Sequence, residues 1–400
     1  MTAAVVTEPD LDLLVAAEAE PEVRNPWRSA RLAALAVWSA TAVVHLLVGA
    51  FAWLTYQGTG PAPGLWSAFL GWNNWDARHY VTIAESGYQG LTAGYPAFFP
   101  LYPLLIHVFD PMLPGDGMVS ALVVANVAAF GALAVLYRLA DHEFGPRVAR
   151  RAAWYLAVFP MGFFLFIGYN ESLFLLLMVG SLYAARRGHW WLAGTLGAFS
   201  SATRLFGLLL ILPLAVEYVR QVGWKPRRDV LSLALVPLGV TAYSAYCLIE
   251  LGNPLQFSIA QDQWGRQYTF PGGAWLTSIT QIFGHGPLHK STLGALLDAG
   301  TILIAVVLLV MCVKGRFKFR PDQRYLVVQG AITLVMLMST EVGGRSMQSA
   351  ARYAMEAVAI FLMLARLGAH QTVDRAVLVI GAGLHTLLLV VFMAGTFLVA

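Results

Sequence analysis

A short stretch after the first long apolar segment combines residue types that can do acid–base chemistry. Within four positions it carries an acid, Asp76, a cation, Arg78, and an imidazole, His79, with Trp75 just before them and Tyr80 just after. A positioned carboxylate can take a proton from a hydroxyl group, and a nearby cation can stabilise an anion that forms. The pattern therefore favours a reaction site over a plain connecting loop.

The elements around this stretch have the composition of a polytopic membrane protein. Of the 400 residues, 58% are hydrophobic and 12% are charged, whereas a soluble domain is about 25% charged. The net charge of +4 does not indicate nucleic-acid binding, because in a membrane protein the placement of Lys and Arg matters more than their sum. Residues 1–31 begin with an acidic segment and predict a disordered cytoplasmic tail. Residues 32–400 then form a single transmembrane domain.

Basic clusters separate the apolar segments and predict the topology through the positive-inside rule. The N-terminus is cytoplasmic, and two loops, about 55–118 and 250–292, are external, the first of them large. Three apolar segments, 152–185, 190–219 and 325–364, have basic clusters on both sides, so each must leave and return as a hairpin. We therefore expect an all-α fold with about eleven transmembrane helices.

The hairpins are too short to bring their turns into open water. Each arm of the first has about 13–16 residues, or roughly 20–24 Å, against a hydrocarbon core of about 30 Å. Asn170 and Glu171 at its turn should therefore lie below the outer surface, while the second and third hairpins carry Arg204 and Arg352. Since ionisable groups inside a membrane are functional-site hypotheses, we expect these side chains to line a cavity near Asp76.

Simpler explanations stand beside this hypothesis. Asp76 fits the N-cap of a short helix, Asn170 and Glu171 fit caps of the next helix, and Arg204 fits an ion pair with Glu171. Other outward-facing or isolated residues have plainer roles. We interpret Glu85, Arg266, Lys290 and Arg345 as solvated loop residues, and His45, His107 and His385 as isolated packing residues.

Several motifs, in order, resemble the GPI mannosyltransferase II (PIG-V) family and its bacterial relatives. The motifs are Trp75-Asp76-Ala77-Arg78-His79-Tyr80 with Ala97-Phe98-Phe99-Pro100-Leu101-Tyr102-Pro103, then Asn170-Glu171-Ser172-Leu173-Phe174, Ala202-Thr203-Arg204-Leu205-Phe206-Gly207 and Ala351-Arg352-Tyr353. The chain length and the Arg- and Ala-rich composition are typical of a bacterial member.

The resemblance implies a GT-C fold and a glycosyltransferase that takes a sugar, usually mannose, from a polyprenyl phosphate on the non-cytoplasmic face of the cell membrane. It implies Asp76 as the catalytic base, and Arg204 and Arg352, followed by His79, as groups for the leaving phosphate. Arg78, Asn170 and Glu171 complete the expected substrate-binding set. The acceptor is a lipid, a glycan or a protein. No metal ion or cofactor is implied.

Two other classes fit parts of the pattern. A transporter or flippase for lipids or lipid-linked sugars would also combine broken helices with buried charges, although it usually shows internal repeats, and none is convincing here. A non-catalytic scaffold derived from the GT-C fold would keep the helices without the chemistry. The retained acid and arginines favour the enzyme.

Overall fold

The computed structural model describes residues 25–56, 72–225, 227–284, 286–343, 345–347 and 349–396. The predicted acidic tail up to residue 24 and the start of the first predicted external loop, 57–71, lie outside these residues. The division of the chain into a tail and one transmembrane domain therefore stays a prediction.

The first half of the described chain is helical, and short 3-10 turns join several helices. The helices are α1 Pro26–Tyr56, α2 Asp76–Ser86, α3 Leu101–Phe109, α4 Gly117–Phe144, α5 Pro146–Ala157, α6 Glu171–Arg186, α7 Trp190–Thr203 and α8 Ile211–Val222, with 3-10 turns at Tyr95–Ala97, Asp110–Met112, Gly162–Leu165 and Leu205–Leu210.

The second half adds a small antiparallel sheet, which the sequence did not predict. Its elements are a 3-10 segment Arg228–Leu235, α9 Leu238–Leu251, α10 Gln256–Gln263, β1 Gln267–Tyr268, α11 Gly273–Phe283, α12 Lys290–Val313, a 3-10 turn Pro321–Gln323, α13 Arg324–Met338, β2 Thr340–Val342, β3 Arg345–Ser346, α14 Ala350–Tyr353, a 3-10 turn Ala354–Glu356, α15 Val358–Leu367 and α16 Gln371–Met393. The middle strand β2 pairs with both β1 and β3.

Within the described residues, five helical segments are long and apolar enough to cross a membrane, and a sixth is formed if the bent pair 228–235 and 238–251 counts as one span. The five are Pro26–Ala52, Gly117–Phe144, Leu205–Val222, Lys290–Val313 and Gln371–Met393. The predicted multi-pass helical architecture is confirmed. The predicted count of about eleven is not, because the remaining helices are short or broken.

Helical structure is interrupted at the three places where the sequence predicts hairpin turns. Irregular backbone and one 3-10 turn separate α5 from α6, Arg204 separates α7 from the following turn, and the small sheet separates α13 from α15. Asn170 and Glu171 are both buried, which agrees with a turn that does not reach water. These interruptions free polar groups inside the helical bundle.

The centre of the bundle is α4, which packs against α1, α5 and α6. Its buried face is rich in alanine, including Ala121, Ala125, Ala128 and Ala132. Small side chains allow helices to approach closely where lipid removes the hydrophobic driving force between them. The result is a rigid frame for the two ends of α6.

Each end of α6 carries a buried charge cluster. At its C-terminal end, Arg186 contacts Glu143 at 2.6 Å, Glu217 at 3.2 Å and Asp322 at 2.5 Å. At its N-terminal end, Glu171 belongs to a second cluster. The 16-residue helix separates the two ends by roughly 24 Å, so the two clusters are independent.

Two histidines that we interpreted as isolated are in contact. The Nε2 atoms of His45 on α1 and His385 on α16 are 3.0 Å apart, and Nδ1 of His385 lies 3.1 Å from the carbonyl oxygen of Phe159. The interpretation as isolated residues is therefore wrong for this pair. Sequence separation hid the contact, because α1 and α16 lie at opposite ends of the chain.

Candidate active site

The carboxylate of Asp76 lies at the first position of α2. Trp75 precedes it in a left-handed conformation, with φ of 55°, and occupies the N-cap position. No side chain caps this helix, so the alternative role of Asp76 as an N-cap is wrong. The Oδ2 atom of Asp76 accepts a 2.8 Å hydrogen bond from Nη1 of Arg352, and its side chain is 26% exposed. The contact fixes the orientation of a carboxylate that solvent still reaches.

Behind Asp76, a buried network joins the three interrupted segments. Oε1 of Glu171 accepts hydrogen bonds from both Arg204 and Arg352, the latter from Nε at 2.5 Å. Arg204 also donates from Nε to Oδ1 of Asn170 at 2.9 Å and from Nη1 to Oε1 of Glu356 at 2.5 Å. The predicted pair of Arg204 and Glu171 is present. Asn170 occupies the N-cap position of α6, but its side chain forms no capping hydrogen bond. Its side-chain oxygen instead accepts hydrogen bonds from Arg204.

Aromatic rings sandwich the two guanidinium groups. The Arg352 guanidinium carbon is 4.7 Å from the ring centres of Phe164 and Tyr169, and that of Arg204 is 4.9 Å from the ring centre of Tyr353. Tyr353 also lies 5.0 Å from Arg352. Planar guanidinium groups stack well on aromatic faces. Stacking and ion pairing together leave these arginines little freedom to move.

A cavity of about 440 Å³ opens in front of this network, within the size range of ligand sites. In the described part of the chain, Asp76 is the only carboxylate that lines it, although Glu171 and Glu356 lie just behind. Of the residues predicted for the site, His79, Asn170, Arg204 and Arg352 also line it. The full lining is Trp75, Asp76, His79, Tyr80, Ala97, Phe98, Phe99, Asn170, Thr203, Arg204, Leu205, Phe206, Gln261, Gln263, Trp264, Arg266, Tyr268, Val342, Gly343, Ser349, Arg352 and Tyr353.

His79 sits in an aromatic pocket at the side of the cavity. Its ring centre is 5.1 Å from that of Tyr95, 5.0 Å from that of Phe98 and 5.3 Å from that of Trp264. Burial lowers the pKa of His79, and nearby Asp76 only partly opposes this effect. The imidazole is therefore neutral at pH 7. Its Nδ1 atom is buried without a hydrogen-bond partner among the described residues.

Two exposed residues of α2 lie outside the cavity lining in the described chain. Arg78 is exposed on α2, and its Nη2 atom is 3.5 Å from the carbonyl oxygen of Asn73. Glu85 is exposed near the end of the same helix. On a helix of 3.6 residues per turn, Arg78 and Asp76 project in different directions. The grouping of Arg78 with the substrate-binding residues is therefore not supported by its position.

Two residues of this region escaped prediction. Glu356 is buried and pairs with Arg204, and its spacing of four residues after Arg352 was the available signal. Arg266, which we interpreted as a solvated loop residue, lines the cavity. The interpretation is wrong because pairing between β1 and β2 brings this part of the second loop to the cavity wall. No group of three or more His, Cys, Asp or Glu side chains in the described ranges is placed to hold a metal ion.

Comparison with known proteins agrees with the motifs. Residues 64–222 match the family model described as mannosyltransferase (PIG-V). The resemblance to the PIG-V mannosyltransferases is confirmed. The matched range includes Asp76, Asn170, Glu171 and Arg204 and ends before Arg352.

Curated PIG-V relatives align with part of the chain. GPI alpha-1,6-mannosyltransferase 2 of Rattus norvegicus is 33% identical over 229 residues, which cover 54% of this chain and 45% of the relative. The protein of the same name from Homo sapiens is 34% identical over 151 residues, which cover 35% of this chain and 30% of the relative. The chain thus spans less than half the length of these relatives.

The fold also has a solved counterpart. The Archaeoglobus fulgidus oligosaccharyltransferase in its apo form superimposes with a TM-score of 0.50 and 12% sequence identity. The superposition covers 92% of this chain and 56% of that protein. At this identity the likeness concerns the fold alone, and the predicted GT-C architecture is confirmed.

Proposed function

We propose that this protein is a glycosyltransferase that moves a sugar, with mannose as the first candidate, from a polyprenyl-phosphate donor to an acceptor hydroxyl. The observation that carries the proposal is the position of Asp76. Among the described residues, it is the one carboxylate that faces the cavity, and Arg352 orients it. The match to the PIG-V family supports mannose and supports a transferase over other membrane enzymes.

The reaction is a single displacement with inversion. Asp76 takes the proton of the acceptor hydroxyl as the hydroxyl oxygen bonds to the anomeric carbon. The bond from that carbon to the phosphate oxygen breaks, and its electron pair stays on the phosphate. The polyprenyl phosphate leaves without needing a proton, and cations of the cavity stabilise its growing charge. Neither a metal ion nor a cofactor takes part in this scheme.

Glu171 is a second acid of the centre, and its surroundings favour a positioning role. Its side chain is 2% exposed, and its Oε1 atom already accepts hydrogen bonds from two guanidinium groups. It is absent from the cavity lining in the described chain. A base must reach the proton that it removes, so we assign that task to Asp76.

The proposed site faces away from the cytoplasm. The basic residues that support this orientation include Arg186 and Arg320, which join the cluster at the far end of α6. The positive-inside rule places that end in the cytoplasm. The cavity end, with Asp76 and Arg352, then lies on the external side of a cell membrane.

The proposal is tested by incubating membranes that contain the protein with labelled polyprenyl-phosphate mannose and a host extract of lipids and proteins. We expect label in a lipid, glycan or protein fraction, and none with GDP-mannose as the sole donor. The same membranes without the protein are the control. No transfer from polyprenyl-phosphate mannose, glucose or arabinose would contradict the proposal. Transmembrane movement of an unaltered lipid-linked sugar would favour the transporter alternative.

A further inference from the structure

The proposed reaction needs a cation that binds the phosphate of the donor, and the structure indicates which basic residue is placed to do so. Six basic residues fall on the predicted external side, against the positive-inside rule. They are Arg78, Arg204, Arg266, Lys290, Arg345 and Arg352. Their contacts separate those that are already neutralised from those that are available to a ligand.

Arg204 and Arg352, which we expected to bind the leaving phosphate, already form ion pairs with carboxylates. Arg204 pairs with Glu171 and Glu356, and Arg352 pairs with Glu171 and Asp76. Two guanidinium groups thus face three carboxylates. A phosphate that approached this network would meet acids as well as cations. These arginines therefore serve mainly to hold Asp76 and Glu171 in place.

Two of the remaining residues lie away from the cavity. Arg78 and Lys290 are exposed, and neither belongs to the cavity lining within the described ranges. The side chain of Arg345 lies outside the described part of the structure. By position, only Arg266 among the four is placed on the wall of the cavity in the described chain.

Arg266 is also uncommitted. Its Nε atom is buried and has no hydrogen-bond partner among the described residues. None of the ion pairs formed between described side chains includes it. A buried donor without a partner is costly to a fold, and at a cavity wall a ligand can supply the missing acceptor.

The backbone around Arg266 is held in place without help from its side chain. The Arg266 amide donates to the carbonyl of Gln261 at 3.1 Å, and the Gly343 amide donates to the carbonyl of Gly265 at 3.1 Å. The indole of Trp264 donates to the carbonyl of Gly94 at 2.9 Å. These bonds tie the second loop to both the first loop and β2. The guanidinium is therefore presented from a fixed support, which suits recognition of a defined anion.

We propose that Arg266 binds the phosphate of the polyprenyl-phosphate donor and stabilises its charge as the sugar leaves. This inference rests on the proposed function. A guanidinium donates two parallel N–H bonds to phosphate oxygens, and such charge-assisted bonds are among the strongest in proteins. Arg266 then faces the leaving group while Asp76 faces the acceptor, which places the acid and the anion-binding group in separate parts of one cavity.

The test measures binding without turnover. Purified protein is titrated with farnesyl phosphate, with farnesol and with inorganic phosphate. We expect Arg266→Ala to weaken the binding of farnesyl phosphate about 10- to 100-fold, as expected for loss of hydrogen bonds to a charged group. Farnesol binding should not change, Arg266→Lys should recover part of the affinity, and Lys290→Ala should match the wild type. Thermal unfolding of each variant verifies that it is folded.

Each outcome separates this inference from the proposed function. Loss of farnesyl phosphate binding in Arg266→Ala would support the assignment even if the wild type transferred no sugar. Unchanged binding and transfer in a folded Arg266→Ala variant would overturn the assignment and leave the transferase intact. Equal, Arg266-dependent affinity for inorganic phosphate would overturn the lipid-phosphate part. A wild type that does not bind farnesyl phosphate would overturn the inference.

Discussion

The two roles available to Glu171 lead to different results when it is replaced. If Glu171 positions Asp76 through Arg352, what it contributes is its shape and its charge-assisted hydrogen bonds. If it is the base, its value lies in its ability to accept a proton. Glu171→Gln keeps the size and the Oε1 acceptor and removes the proton-accepting carboxylate. Glu171→Ala removes both.

The contacts give the size of the effect on stability. Glu171 is 2% exposed and is the shared partner of Arg204 and Arg352, and breaking a buried ion pair by removing one partner costs about 3–5 kcal/mol. We expect Glu171→Ala to lose stability in that range. Glu171→Gln should lose less, because its amide oxygen can still accept hydrogen bonds from Arg204 and Arg352. Glu85→Gln, an exposed acid, is the matched control and should change stability by less than about 0.5 kcal/mol.

Denaturant titration of purified protein in detergent, together with sugar transfer at saturating donor, separates the two roles. The positioning role predicts that Glu171→Gln keeps a measurable fraction of transfer and that Glu171→Ala loses both stability and transfer. A Glu171→Gln variant that is as stable as the wild type and has no transfer would refute this reasoning. It would make Glu171 the base. A cost below about 1 kcal/mol for Glu171→Ala would refute the stability part.

Two further predictions concern groups that support the site. Asp298 accepts a 2.7 Å hydrogen bond from the amide of Ala351, next to Arg352. Asp298→Leu should therefore lower the transfer rate and reduce stability by about 1–3 kcal/mol, because it leaves a buried amide unpaired. Asp298→Asn should keep most of the transfer rate and of the stability, and equal rates for the two variants would contradict this role. A methyl group on Gly207, just after Arg204, would come within 2.4 Å of the backbone of Ser200, so Gly207→Ala should destabilise the protein by about 1–3 kcal/mol or more. Gly300→Ala is the control, since that position has open space, and unfolding measurements that rank the two variants equally would contradict the packing argument.

The sequence predicts the parts of this structure that depend on composition and order along the chain. Apolar length and basic clusters locate the interruptions at Asn170 and Arg204, because hydrophobic matching and charge placement act locally. The short arms of the predicted hairpins also place Glu171 and Arg352 near the external stretch that carries Asp76, and in the structure Arg352 contacts both acids. These inferences need no knowledge of how helices pack.

Contacts between distant segments escaped prediction. The His45–His385 contact joins the first and last described helices, and no local pattern marks it. Arg266 has the composition of a loop, and its position depends on pairing of β1 with β2, about 70 residues later in the chain. The full set of ion pairs that Arg204 and Arg352 form with carboxylates also could not be predicted from the sequence, because it depends on which acids the fold brings within reach.

The most direct test of the central claim compares Asp76→Asn with Glu85→Gln, two changes of an acid to its amide on the same helix. Both variants are assayed for mannose transfer from labelled polyprenyl-phosphate mannose at equal amounts of folded protein. The account predicts that Asp76→Asn lowers the rate about 100- to 10,000-fold, as expected for loss of a general base, and that Glu85→Gln stays at the wild-type rate. Equal transfer by Asp76→Asn and the wild type would contradict the account.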